Sequence, residues 1–305
     1  MDKQSKIQGQ TMIQDISPAH LNNHFDPTKT ADENSIILFF TKEKKLLGRL
    51  DDGTQEISFP RFNDVKNISK EKLTYLFSID DEDFFLMITD SENMNFLDVS
   101  AQDSDSYMFH DFRKFRSAYY YPQTYVYASF TAYQLAEWYM VTRFCGKCGA
   151  KNEHSKTERA MICPKCGNII YPRINPAVII GVIDKEANKL LVTRYRVGYG
   201  HNALVAGFTE IGETLEETVS REVMEETGLT VTNIRYYKSQ PWGIASDILV
   251  GFFCEVTGSR EITMDNNELK FASWLSPEEI ELQPLEYSLT NEMMKVFKEG
   301  DVQFL

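Results

Sequence analysis

Short blocks of apolar residues, separated by polar turns, organise the first part of the chain. The runs SIILFF (35–40) and FFLMIT (84–89) are rich in β-favouring residues, which predicts two buried strands. The acidic stretch DDEDF, which begins at Asp80 and leads into the second run, predicts a solvated turn. We therefore expect residues 1–125 to form a mostly β domain. No motif in this segment indicates a chemical role.

In the middle of the chain, the spacing of apolar residues changes from short continuous runs, typical of buried strands, to the spacing of a helix. Apolar residues in TAYQLAEWYMVTRF (131–144) recur among polar residues at helical spacing, which predicts a connecting helix. A cysteine-rich segment follows this helix and extends to Cys166. We group the connecting helix and the cysteine-rich segment as residues 126–172.

Strand and helix patterns alternate in the last part of the chain, residues 173–305. The run AVIIGVI (177–183) predicts a buried strand, and KLLVTRY (189–195) is its expected hairpin partner. A glutamate-rich helix comes next, and a closing helix is expected near 289–298. Three further strand candidates lie between these helices: TNIRYYKSQPW (232–242), ILVGFFCEV (248–256) and KFASWL (270–275). Strands on both sides of a central helix predict an α/β/α sandwich with a mixed sheet, so the chain should combine the α+β and α/β classes.

The charge balance narrows the classes of function. The chain has 32 Lys and Arg against 45 Asp and Glu, a formal net charge of −13, which argues against a broad non-specific grip on nucleic acid. This balance remains compatible with a small anionic ligand held through a metal ion. The amino terminus lacks the apolar core of a signal peptide, and no run of 18 apolar residues predicts a membrane span. We therefore expect a cytoplasmic protein with no membrane partner.

Four of the five cysteines stand in two CxxC pairs, CGKCG and CPKCG, with 14 residues between the pairs. Two such pairs supply four thiolates to one tetrahedral Zn²⁺ and leave no open coordination position, so the expected zinc is structural. These ligands would be Cys145, Cys148, Cys163 and Cys166. The glycine after each pair lets the backbone fold tightly and disfavours the alternative, a redox pair. Cys254 stands alone and is expected to be a buried small hydrophobe.

The segment REVMEETG (221–228) places three carboxylates on neighbouring positions of a predicted helix. Glu222 precedes Glu225 and Glu226 by three and four residues, and like charges at this spacing cost about 0.2–0.5 kcal/mol per pair. Arg221 lies one turn before Glu225 and can brace it. A divalent cation such as Mg²⁺, which prefers hard oxygen ligands, would offset the repulsion. The alternative is a solvated acidic helix face.

The ends of this helix are marked in the sequence. Thr214, with Glu217 three residues later, fits a capping box at the start of the helix. Gly228 fits a left-handed residue just past its end. Val219 and Val223 form part of an apolar stripe, so we expect the glutamates to project from the other side.

Read from Gly207, the segment is GFTEIGETLEETVSREVMEETGL (207–229). It resembles the Nudix box, GX5EX7REUXEEXGU with U a bulky apolar residue, and matches it at every fixed position. The resemblance implies Mg²⁺- or Mn²⁺-dependent hydrolysis of a nucleoside diphosphate linked to another moiety. It also implies a loop–helix–loop catalytic element that contains Glu213, Arg221, Glu222, Glu225 and Glu226.

Ten residues beyond this segment stands SQPW (239–242). Together with the cysteine pairs, YPRINP and LVAGFTEIGE, it resembles the NADH pyrophosphatase subfamily of Nudix hydrolases. The similarity runs from about Gln134 to the carboxyl end. It implies hydrolysis of NAD(H) to AMP and nicotinamide mononucleotide, allows NAD-capped RNA 5′ ends as substrates, and suggests a homodimer.

The resemblance also implies roles for single residues. The metal ligands would be Glu222, Glu226, Glu268 and the carbonyl of Ala206. Phe208 would stack on a base, an interaction worth about 1–3 kcal/mol. The other substrate contacts would be Gln240, Trp242, Glu158, Tyr171, Thr290 and, from its spacing to QLAEW alone, Arg116.

One departure from the subfamily bears on the substrate. After SQPW the subfamily usually continues Pro-Phe-Pro-x-Ser, whereas this chain reads GIASD (243–247). The change removes two prolines and an aromatic ring, and Asp247 brings a charge close to where phosphates are expected. Hydrolysis of ADP-ribose or another nucleoside diphosphate derivative is therefore an alternative. A non-catalytic zinc-ribbon protein that binds nucleic acid is a further alternative, against which the intact glutamates argue.

Overall fold

The computed structural model describes residues 12–97, 107–198 and 200–300, and the chain divides into two compact units. The amino-terminal unit comprises residues 16–173 and 243–245. The carboxyl-terminal unit comprises the described residues within 1–15, 174–242 and 246–305. The domain boundaries expected at residues 125 and 172 remain a prediction, because this division follows compactness alone.

A seven-stranded sheet forms the body of the amino-terminal unit, with strand order β1-β5-β6-β2-β3-β4 and β7 paired to β3. The strands are β1 Leu21–Asn22, β2 Ile36–Thr41, β3 Leu46–Asp51, β4 Glu56–Ser58, β5 Thr74–Ile79, β6 Glu82–Thr89 and β7 Met108–His110. Strand β2 is buried at every position because it pairs on both sides, parallel to β6 and antiparallel to β3. The two predicted strands are therefore confirmed. The acidic turn is confirmed at Asp80 and Asp81, whereas the rest of the predicted turn, from Glu82, belongs to β6.

Helix α1, Gln123–Val141, precedes the cysteine segment. The predicted helix is confirmed, but its start at residue 131 is wrong, because the helix begins directly after Pro122. Its first turns are apolar on most faces and largely buried, so they show no amphipathic period. The cysteine segment forms a small antiparallel sheet of order β10-β9-β8. Its strands are β8 Glu153–His154, β9 Met161–Ile162 and β10 Ile169–Ile170.

The carboxyl-terminal unit has a six-stranded mixed sheet of order β14-β15-β11-β12-β16, with β13 paired to β11. Strands β11 and β15 run parallel, and the other neighbours run antiparallel. The strands are β11 Asn175–Asp184, β12 Lys189–Tyr195, β13 Val205–Phe208, β14 Thr230–Trp242, β15 Asp247–Thr257 and β16 Leu269–Leu275. Every strand predicted for this part of the chain is present.

Two helices cover the two faces of this sheet: α2, Leu215–Thr227, and α3, Leu289–Glu299. Alternate residues of β11 enter different cores. Ile179 packs in the cluster that contains residues of α3, whereas Ile180 packs in the cluster that contains Val219 and Val223 of α2. Both faces of the sheet are therefore buried, which gives the predicted α/β/α sandwich.

Short 3-10 helices complete the described elements: Phe62–Asp64, Lys70–Lys72, Phe112–Arg116 and Pro277–Glu279. Among the residues that the structure describes, no helix is long and apolar enough to cross a membrane.

Candidate active site

Helix α2 carries the glutamates, and its ends are fixed as the sequence predicts. The Thr214 side chain accepts a hydrogen bond from the Glu217 backbone (3.2 Å), and the Glu217 carboxylate accepts one from the Thr214 backbone (2.8 Å). Gly228 has a φ of 70°, and its N–H bonds to Met224 O. Since Val219 and Val223 are fully buried against the sheet, the helix cannot rotate, and its glutamates keep one orientation.

Arg221 lies at the centre of the acidic residues. Its Nε and Nη2 donate to the two oxygens of Glu213, at 2.6 and 2.9 Å, in a bidentate pair. Its Nη1 donates to Glu222 Oε1 (2.8 Å) and Glu225 Oε2 (3.0 Å), which confirms the predicted bracing of Glu225. Nη2 also donates to Phe208 O (2.9 Å). Arg221 thus offsets part of the repulsion among the glutamates. From the sequence we expected a divalent cation to offset that repulsion.

The surroundings of Glu213 and Glu226 shift the pKa values of these two carboxyl groups in opposite directions. The hydrogen bond from Arg221 lowers the pKa of Glu213 to about 2. Burial raises the pKa of Glu226 to about 8, and the nearby charges of Glu222 and Glu268 add to this rise. Glu226 is only 2% exposed. Among the described residues, no lysine or arginine forms an ion pair with it, so a divalent cation fits beside this carboxylate.

Tyr195 contacts Glu226, and the sequence analysis did not identify it. Its hydroxyl donates to Glu226 Oε1 (3.0 Å) and accepts a hydrogen bond from the backbone N–H of Ala206 (3.0 Å). The hydroxyl also lies 3.3 Å from the Ala206 carbonyl, a predicted metal ligand. The register of β12 against β16 shifts between Arg194 and Tyr195, and such irregularities re-aim side chains near active sites. No motif in the sequence signals this shift.

Gly207 lies where strand β13 closely approaches helix α2, so a side chain here would displace the end of the Glu222 side chain. A Cβ atom at this position would collide with the carboxylate of Glu222. Its φ is not in the left-handed region, so space and not backbone conformation explains the glycine. Strand β13 therefore brings the Ala206 backbone beside the glutamates of α2.

The predicted metal ligands differ in how closely they are assembled. Among the described residues, the four cysteines form the one group of His, Cys, Asp or Glu ligand atoms that all lie within 4.8 Å of one another. The N–H groups of Gly149 and Gly167, both with positive φ, bond to the carbonyls of Cys145 and Cys163. This arrangement supports a structural zinc. The carboxylate oxygens of Glu222, Glu226 and Glu268 form no such group, so in this arrangement they do not all contact a single Mg²⁺, whose direct ligands lie within about 4.2 Å of one another.

The predicted substrate contacts in the carboxyl-terminal unit have different surroundings. Phe208 is 54% exposed, so its ring face is accessible. Trp242 is partly buried and packs against the core beneath α3. Thr290 is half-buried in the first turn of α3, and Glu268 is exposed directly before β16.

Gln240 requires a correction. Its side chain is 0% exposed. Nε2 donates to Gln14 Oε1 and to Tyr287 O, both at 2.8 Å, and Oε1 accepts from Leu289 N (2.8 Å). One amide proton therefore holds the segment that leads into α3 against β14, and the other holds Gln14. The expected hydrogen bond to a substrate is wrong, because the amide is enclosed and satisfied within the protein.

The remaining candidates belong to the amino-terminal unit. Tyr171 donates a hydrogen bond to Glu158 Oε1 (3.2 Å), and both side chains are exposed. Arg116 is the last residue of a 3-10 helix, Phe112–Arg116. The structure thus brings Glu158 and Tyr171 together and places Arg116 in a separate element.

Asp247, the charged residue of the GIASD departure, is the first residue of β15. It is buried, and Asn175 Nδ2 lies 3.4 Å from its Oδ1. Burial raises the pKa of Asp247 to about 6. Asp247 is thus an enclosed carboxyl group at the paired ends of β11, β14 and β15, and its position near a phosphate stays a prediction.

Comparisons with known proteins identify two domains. Residues 173–297 match the NUDIX domain, and residues 142–171 match the NADH pyrophosphatase zinc ribbon domain. Proteins called NAD-capped RNA hydrolase NudC from Salmonella typhi and Salmonella paratyphi B are each 44% identical over 151 residues, which are 50% of this chain and 58% of the relative. The crystal structure of a NUDIX hydrolase from Nitrosomonas europaea covers 53% of this chain and 93% of its own, with 24% identity and a TM-score of 0.45. The chain thus joins a zinc ribbon domain of the NADH pyrophosphatase type to a NUDIX domain, and it spans less than two thirds of the length of these NudC relatives.

Proposed function

We propose that this chain hydrolyses the pyrophosphate bond of NAD(H), giving AMP and nicotinamide mononucleotide, and that it also removes NAD caps from RNA 5′ ends. The observation that carries the proposal is the buried carboxylate of Glu226, held by Tyr195, beside the Arg221-braced Glu222. The similarity to proteins called NAD-capped RNA hydrolases supports the choice of substrate. A purely binding protein has no need to keep such an acidic face.

The chain's own residues would bind and orient the reactants. Arg221 holds Glu222 and Glu225, and Tyr195 holds Glu226, so the carboxylates need little reorganisation during the reaction. The exposed ring of Phe208 offers a stacking surface for a base. Mg²⁺ or Mn²⁺, held by Glu222, Glu226, Glu268 and the Ala206 carbonyl, would neutralise phosphate charge and orient the attacking water.

The reaction requires no redox partner. The oxygen of water adds to one phosphorus, the bond from that phosphorus to the bridging oxygen breaks, and two monophosphates leave. Catalysis by position and charge neutralisation suits this chemistry, because the protein forms no covalent bond to the substrate.

The substitution Glu226→Gln tests the proposal. It keeps the size of the side chain and removes the charge, so we expect the release of AMP from NADH with Mn²⁺ to fall about 100-fold or more. Chromatographic measurement of AMP gives the rate. Glu216→Gln, an exposed position of the same helix, is the matched control and should keep the rate. An unchanged rate in Glu226→Gln would refute the assigned role.

Hydrolysis of ADP-ribose is the second candidate, because GIASD replaces the proline-rich segment that follows SQPW in the subfamily. A panel of NADH, NAD⁺, NAD-capped RNA and ADP-ribose, ranked by kcat/KM, distinguishes the two. The highest kcat/KM for ADP-ribose would favour the second candidate.

We also propose that the chain forms a homodimer in the cytoplasm. The domain boundaries predicted at residues 125 and 172 remain part of the proposal. The reduced cysteine pairs favour a reducing compartment, and the resemblance to the subfamily favours a dimer. Light scattering after size-exclusion chromatography measures the dimer directly, and a monomeric mass would exclude it.

A further inference from the structure

A cavity of about 840 Å³ lies within the amino-terminal unit, away from the glutamate helix in sequence. It is lined by residues of β5 and β6, the carboxyl end of α1 and the zinc ribbon. Its volume falls in the range of about 300–1,000 Å³ that is usual for small-ligand sites. None of the residues assigned to hydrolysis lines it.

The charge of this cavity is opposite to that of the whole chain. Four basic residues line it, against two acidic ones: Lys42, Lys72, Arg143 and Lys151 against Asp90 and Glu153. Asp90 forms an ion pair with Lys42 at 2.6 Å. Among the described residues, Lys72, Arg143 and Lys151 have no acidic group within ion-pair distance. A net positive cavity in a chain of charge −13 favours an anionic ligand.

One side of the cavity is aromatic and apolar. The rings of Tyr139 and His154 stack with centroids 5.0 Å apart and planes at 19°. Burial lowers the pKa of His154, so its ring is neutral near pH 7. Met87, Met140 and Met161 extend this surface. A flat aromatic group can pack against such a wall whatever its hydrogen-bonding pattern.

Asn152, which also lines the cavity, has an unused acceptor. Its side chain is 4% exposed, and Nδ2 donates to Thr142 O at 2.8 Å. Its Oδ1 has no hydrogen-bond partner. Buried acceptors without a partner are rare in folded proteins, because each costs free energy. An amino or hydroxyl group of a ligand, admitted by a small side-chain movement, would supply the missing donor.

We propose that this cavity binds a nucleoside monophosphate group, either as a free nucleotide or as one residue of an RNA chain. The phosphate would contact Lys72, Lys151 and Arg143, and the base would pack beside Tyr139 and His154. Asn152 Oδ1 would accept from the base or the ribose. The proposal goes beyond hydrolysis and does not depend on it, since binding here needs no residue of the catalytic element.

Calorimetric titration of the zinc-loaded chain, without added Mg²⁺ or Mn²⁺, tests the proposal. AMP should bind more tightly than adenosine or inorganic phosphate, because it uses both the charged and the aromatic parts of the cavity. In the double variant Lys72→Glu, Lys151→Glu the affinity for AMP should fall about tenfold or more. Lys156→Glu, an exposed change on the same ribbon, is the matched control and should leave it unchanged. Equal affinities for AMP in the double variant and the wild type would overturn the proposal.

Two further measurements locate the site and identify the source of the ligand. Photocrosslinking with 8-azido-AMP, mapped by mass spectrometry, should label residues 42–90 or 139–161, which line the cavity, whereas labelling confined to residues 174–300 would overturn the proposal. If a single-stranded oligoadenylate binds more tightly than AMP, and the double variant removes this difference in affinity, the natural ligand is an RNA chain. Weaker binding of the oligonucleotide identifies the free nucleotide. Zinc content and unfolding temperature, equal to those of the wild type, establish that the variants fold.

Discussion

A single tyrosine hydroxyl connects the two parts of the candidate metal site. Tyr195 bonds both to the Glu226 carboxylate, from helix α2, and to the backbone of Ala206, from strand β13. Outer partners of this kind hold ligating groups in one orientation, and their loss typically reduces metal affinity about 10–100-fold. At the residue scale, the site therefore depends on a side chain that would not itself contact the metal.

Tyr195→Phe should weaken Mn²⁺ binding about tenfold or more, because Glu226 loses its hydrogen-bond donor while the aromatic ring still fills its space. Electron paramagnetic resonance of free Mn²⁺, titrated with the protein, measures this without any turnover. Tyr236→Phe is the matched control, since Tyr236 is exposed and its hydroxyl donates to Ser239 Oγ at 3.4 Å. Equal Mn²⁺ affinities in wild type and Tyr195→Phe would contradict the assigned role.

Asp247 should make stability depend on pH. Its pKa is raised from 3.8 to about 6 in the folded protein, so its contribution to stability is full below pH 3.8 and is lost as the pH rises through about 6. Asp247→Asn removes the buried charge, and we expect it to stabilise the protein at pH 8 by about 2 kcal/mol.

The gain from Asp247→Asn should shrink as the pH falls from 8 to 5. Urea unfolding at the two values measures it. Glu261→Gln, which removes an exposed charge in the same unit, should show no such difference between the two pH values. A gain that stays constant with pH would show that the folded and unfolded states bind the same number of protons in this range, so that folding does not raise the pKa of Asp247.

At the scale of elements, two helices end on a glycine in the same left-handed conformation but in different surroundings. Gly228, after α2, has a φ of 70°, and Gly300, after α3, has a φ of 69°. An added Cβ at Gly228 would lie 3.0 Å from Thr263 Cβ, whereas at Gly300 it would meet none of the residues that the structure describes within 4 Å. Comparing an alanine at Gly228 with one at Gly300 therefore separates two free-energy costs: that of a left-handed alanine backbone and that of the contact with Thr263.

Gly300→Ala should therefore destabilise by about 1 kcal/mol, the cost of a left-handed alanine, and Gly228→Ala by about 2 kcal/mol or more. Thermal unfolding of each variant against the wild type measures the difference. Equal losses would show that Thr263 moves aside without cost. Because Gly228 ends the helix that carries the glutamates, Gly228→Ala should also lower the rate of hydrolysis, and Gly300→Ala should not.

At the scale of the whole molecule, zinc should stabilise one of the two units. The four cysteines lie in the amino-terminal unit, far in sequence from the helix that carries the glutamates. Elemental analysis should find one Zn²⁺ per chain, and Cys163→Ser should lose it, because three thiolates and water hold zinc less well than four thiolates. Cys254→Ala, at a buried cysteine outside the cluster, should keep the zinc. Full zinc content in Cys163→Ser would exclude the predicted ligand set.

The sequence by itself determined the features that depend on neighbouring residues. The capping box at Thr214, the left-handed Gly228 and the bracing of Glu225 by Arg221 all lie within one or two helical turns. The glycine turns of the two cysteine pairs are equally local. Such features are readable because backbone geometry and side-chain reach fix them before any tertiary contact forms.

Tertiary structure alone decided the rest. Arg221 contacts the Phe208 carbonyl, Tyr195 turns toward Glu226, and Gln240 is enclosed by segments 47 and 226 residues away along the chain. The first turns of α1 likewise lack an amphipathic pattern, because most of their residues are apolar. The start of this helix is therefore decided by burial in the folded unit. These outcomes depend on which distant residues meet and how much water they exclude, and no local pattern records that information.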